Sequence, residues 1–91
     1  MSSDKEVKIP EDWAEEVVML VIDFYIPAKQ FTSATDFMTT TDIVNFFHSI
    51  RPTVEVDPDL VFNSLEKHGF QYDMISPGQL RWMLIDKSKL P

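Results

Sequence analysis

The segment VEVDPDLVFNSLEKHGF, residues 54–70, gathers side chains able to do chemistry: Asp57, Asp59, Ser64, Glu66 and His68. Two carboxylates two positions apart would suit acid–base work if both faced one cleft. Their placement argues for a different task. Asp57 can cap a helix, Pro58 suits its first position, and Asp59 puts negative charge where the helix needs it. His68 falls in the last turn, where it meets the negative end of the helix dipole. His48 is the only other histidine, and no close ligand spacing joins either one to carboxylates as a metal site. Ser64 and Ser76 lack an activating arrangement. Gly69 and Gly78, the only glycines, suit turns and form no phosphate-cradling loop. No catalytic, cofactor-binding or metal-binding set is expected.

Composition narrows the class further. Seven Phe, two Trp and two Tyr in 91 residues give one domain enough apolar bulk for a core, so disorder is not expected. There is no cysteine, which removes disulfides and thiolate chemistry and fits a cytoplasmic protein. The start, MSSDKEVKIPEDW, is polar and acidic, unlike a signal peptide, and the apolar run Val17 to Ile22 is too short to span a bilayer. Formal charge is -7, and residues 1–45 carry most of it, three Lys/Arg against nine Asp/Glu. Such a balance disfavours general affinity for phosphate backbones.

The elements that would position these residues follow from pattern. Residues 1–10 read as a flexible arm, 11–86 as the domain and 87–91 as a polar tail. PEDWAEEVVMLVIDFYIP predicts a helix over 11–26, acidic at its start and closed by Pro27. It is apolar on nearly every side, which implies central packing or a shared subunit interface. Residues 28–39 read as a loop with a brief strand or turn. A second helix, Thr40 to Ile50, carries Thr39 and Asp42 at capping-box spacing. RPTVEV, residues 51–56, links it to a third helix, Pro58 to His68, through a short extended piece. Phe70, Tyr72 and Met74 alternate with polar residues before Ser76-Pro77-Gly78-Gln79, and Leu80, Trp82 and Leu84 alternate after it. This predicts a β-hairpin with Pro and Gly at the centre of a type II turn.

Three helices and a hairpin within about residues 12–86 resemble the winged helix-turn-helix architecture, an α+β fold. The resemblance implies that the second helix braces the third, that the third reads base edges, and that the wing, Phe70 to Ile85, touches phosphate. On this alternative Asn63, Lys67 and Arg81 would be the DNA contacts, Asn63 suiting an adenine edge. The residues depart from that use. Asp59 and Glu66 share the outward side of the third helix with Lys67, and the wing tip, Ile75 to Gln79, carries no Lys or Arg.

Winged-helix domains also serve as protein-binding and dimerisation modules, and the acidic third helix fits that use. The preferred expectation is therefore a non-enzymatic interaction module, with a partner protein or a second copy as occupant. Trp13, Val17 and Val21 on the first helix, with Met83 and Ile85 on the outer side of the last strand, are the expected contact residues. A homodimer would bury both rows. The competing arrangement folds Ile9, Phe31 and Phe37 over them within one chain.

Overall fold

Described over residues 9–90 by a computed structural model, the chain forms α1 (Pro10–Phe24), β1 (Tyr25–Pro27), β2 (Asp36–Met38), α2 (Thr40–His48), α3 (Pro58–Lys67), β3 (Tyr72–Ser76) and β4 (Gln79–Asp86). Short 3-10 turns occupy Phe31–Ser33 and Lys87–Lys89. Three helices followed by the β3–β4 hairpin, with an open sheet, make an α+β winged-helix-like fold. Most of the expected arm, residues 1–8, lies outside the described residues, and Pro10 already belongs to α1. The expected tail begins as a turn, with Asp86 Oδ1 accepting from the backbone N–H and hydroxyl of Ser88 at 2.8 and 2.7 Å.

Local signals set the helix ends. Thr39 and Asp42 form the capping box: Asp42 N–H donates to Thr39 Oγ1 at 3.0 Å, and Thr39 N–H to Asp42 Oδ2 at 3.1 Å. Asp57 Oδ1 accepts from Asp59 N–H at 2.9 Å, with Pro58 in the first turn. Beyond α3, Gly69 at φ 89 lets its own N–H reach Glu66 O while Phe70 N–H reaches Leu65 O, both at 3.0 Å. Phe70 is thereby turned into the core beside Leu65. At the hairpin tip Gly78 has φ 77, the value a type II turn needs at its third position.

One expectation fails at the end of the first helix. Tyr25 and Ile26 are not helical: they pair antiparallel with Asp86 and Ile85 of β4. Pro27 disfavours helical backbone at Ile26, and β4 extends past its hairpin partner with an edge to fill. The link over residues 51–56 pairs with no strand of the sheet. Instead His48 Nε2 bonds Val54 O at 2.8 Å, and Val54 and Val56 pack against the core from a loop.

β4 organises the sheet. Trp82 pairs with Tyr72 of β3 on one edge and with Met38 of β2 on the other, while Leu84 pairs with Pro27 of β1 and Asp36 of β2. β1 and β3 therefore share one edge of β4 in succession, and β2 takes the opposite edge. Strand alternation sends Trp82 and Leu84 into the core with Val17, Val21, Ile43 and Leu65.

Candidate interaction surface

The five expected contact residues do not form one exposed surface. Val17 and Val21 are 0% and 1% exposed, packed centrally where α1 meets α2 and α3. Met83 is also buried, at 5%. Its backbone bonds Ala28 N–H and Gln71 O, and Phe37 lies directly across from it on β2, hence on the same sheet face. Phe31 packs on Phe37 with ring centroids 5.0 Å apart. Residues 28–38 therefore shield the row the hairpin alone would leave open. Ile85 is half-buried, and so is Trp13, which meets Phe47 at 6.4 Å and carries the Arg51 guanidinium 5.5 Å from its ring. A docking patch built on Val17, Val21 and Met83 is excluded by their burial.

The expected DNA-contact set is also split. Asn63 and Lys67 are exposed on α3 and line a cleft of about 420 Å³ against α1. Arg81 lies on the other side of β4 from Trp82, and Trp82 packs on Phe62 of α3, so Arg81 faces away from the cleft. Its Nε is buried without a hydrogen-bond partner. Glu11, Asp12 and Glu15 of α1 also line the cleft, and Lys67 is the one Lys or Arg among the described residues that do.

Glu15 holds α1 to α3. Its carboxylate accepts from Ser64 Oγ at 2.7 Å and contacts His68 Nε2 at 2.8 Å, and Ser64 is buried. The hydrogen bond from His68, then that from Ser64, lowers the Glu15 pKa below its ordinary 4.5, with burial opposing. A carboxylate depressed in the folded chain adds stability above its unfolded value, and that stability is lost as pH falls through the folded value. Glu15→Gln removes this contribution. The variant should be less stable than the parent near neutral pH, and the gap should close as pH falls below about 4.5. Urea midpoints of both chains over acid and neutral pH provide the check; a gap constant with pH would mean that Glu15 is not coupled to folding this way.

A different surface emerges between α1 and α2. Met19, Phe24 and Ile50 are each about half exposed, at 51%, 49% and 55%. A groove of about 210 Å³ runs there, floored by Leu20 and Phe47 and rimmed by Glu16, Asp23 and Arg51. At its α1 C-terminal end Phe24 meets Phe46 edge to face, centroids 5.6 Å apart. Sequence reasoning missed Met19 as a contact residue because α1 is apolar on so many sides. The discriminating signal was weak: Glu16, Met19 and Asp23 share a helix face, so the charges flank an apolar residue left outside.

No helix among the described residues is long and apolar enough to cross a membrane, and none of their His, Cys, Asp and Glu groups is gathered in threes to hold a metal ion. No family model, curated protein or solved structure matches the chain.

Proposed function

We propose that this chain is a non-enzymatic protein-interaction domain on a winged-helix-like frame, docking its partner on the α1–α2 face. The observation that carries the proposal is the exposure of Met19, Phe24 and Ile50 beside a groove with an apolar floor. Exposed apolar side chains gathered around a concave floor mark contact surfaces in soluble domains. The side chains with chemical potential are engaged in holding the fold: Asp57 caps α3, His48 pins the 51–56 loop, and His68 and Ser64 bind Glu15. The DNA-binding alternative would use Asn63 and Lys67, but a phosphate backbone there meets Asp59, Glu66 and the acids of α1.

Site-specific photo-crosslinking in the producing cell separates these readings. A photoreactive phenylalanine derivative replaces Met19 or Ile50 in one pair of chains and Asn63 or Glu66 in another. Discrete protein adducts are expected from the first pair and not from the second. Nucleic-acid adducts at Asn63 would install the DNA-binding reading instead.

A further inference from the structure

Resting on the α1–α2 face as docking surface, we infer that its occupant is a second copy of this chain, set against the first by a two-fold axis near Met19. The carrying observation is the layout of open charge about an apolar centre. Met19 and Ile50 stand half exposed over a floor of Leu20 and Phe47. Asp23 closes one end of the groove. Arg51 closes the other, its guanidinium lying over Trp13 at the N-terminal end of α1. Neither side chain forms an ion pair or a side-chain hydrogen bond among the described residues. Glu16, on the same rim, is already engaged within its own chain, so its charge selects nothing.

One carboxylate against one guanidinium gives the groove no preference for a basic or an acidic partner. It does make a patch that complements itself. A two-fold axis brings the same surface of both copies together and exchanges its ends, so each Asp23 meets the other copy's Arg51. The spacing agrees. Asp23 stands four residues after Met19, about 6 Å along the helix axis. Trp13, which marks the level of Arg51, stands six residues before Met19, about 9 Å the other way. With the two α1 helices antiparallel, carboxylate and opposing guanidinium fall within about 3 Å of the same level, and the Met19 side chains meet at the axis. The chain's -7 opposes association, but charges more than about 8 Å apart are largely screened at physiological salt. Three half-exposed apolar side chains make a small interface, of the weak class below about 1,200 Å² in total. Unfolding of the dilute chain therefore reads the monomer.

Sedimentation equilibrium of the full chain, from about 5 to about 500 μM in about 0.15 M salt, is the test. The mean mass should climb from 10.6 kDa towards twice that value. Asp23→Arg and Arg51→Asp should each weaken association about tenfold or more, because each sets like charges against one another at both ends of the interface. An equimolar mixture of the two variants restores opposite charges at both contacts and should associate within about threefold of the parent. Met19→Lys sets two ammonium groups at the axis. It should hold the chain at 10.6 kDa, with the thermal midpoint of the dilute chain unchanged.

A mass of 10.6 kDa at every concentration would overturn the inference. So would association that neither single variant weakens, or a mixture that fails to restore it. Photo-crosslinked adducts from Met19 to a different protein, beside a monomeric mass throughout, would reject the second copy and leave the docking face standing. A monomeric mass with no adducts at Met19 or Ile50 would remove the docking face as well.

Discussion

Trp82→Ala is expected to lower the unfolding free energy by about 3–5 kcal/mol, a large share of the roughly 5–15 kcal/mol that holds a domain of this kind. Trp82 is fully buried at the centre of β4. Its ring meets Phe62 of α3 and Tyr72 of β3 edge to face, with centroids 5.0 and 5.2 Å away. Its Nε1–H donates to Thr40 Oγ1 at 2.9 Å, at the start of α2. One side chain thus joins the wing, the second helix and the third. Truncation leaves a cavity among three elements that cannot all collapse into it, and it strands the Thr40 hydroxyl. Thr40→Val isolates the polar part, because the indole N–H then loses its acceptor, at a cost of about 1–3 kcal/mol. Urea unfolding followed by far-UV circular dichroism measures both. An alanine variant within about 1 kcal/mol of the parent would show that the three elements hold together without this ring.

The β3–β4 hairpin that sets Tyr72 across from Trp82 was legible because its cause is local: strand alternation about a Pro-Gly turn fixes which side chains share a face. The helix starts were legible for the same reason. Thr39, Asp42, Asp57 and Pro58 act within one turn of where they stand, and the structure shows their bonds as the spacing implies. What escaped depends on partners distant in sequence. β1 and β2 are three residues each, too short for a periodic signal, and exist because β4 has edges beyond its hairpin partner. Tyr25 and Ile26 carry apolar spacing that suits a helix as well as a strand, so only Asp86 and Ile85 decide the matter. Ser64 showed no activating partner near it in sequence because the carboxylate that accepts its hydroxyl hydrogen bond, Glu15, stands 49 positions away. Met83 seemed uncovered because the hairpin was weighed as two strands, and its burial follows from four.

The same ambiguity governed α1, where an all-round apolar pattern left open which side faces outward. Replacing one residue on each side by lysine should resolve it sharply. Val17→Lys is expected to cost about 4 kcal/mol or more, placing an ammonium where no exposed route or carboxylate partner relieves it. Val17 is fully buried in one core cluster with Val21 of its own helix and with Ile43 and Leu65, which α2 and α3 press onto α1. Met19 lies two residues on, about 200° around the helix axis at 3.6 residues per turn, and is half exposed. Lysine there stands three positions after Glu16 and four before Asp23, where opposite charges attract, so stability should change by less than about 0.5 kcal/mol. Thermal and urea unfolding of the two variants give the comparison. Equal losses would mean that α1 is surrounded on all sides and that the α1–α2 groove is not open to a partner. A folded Met19→Lys chain beside an unfolded Val17→Lys chain would separate the side of α1 that holds the core from the side left free to dock.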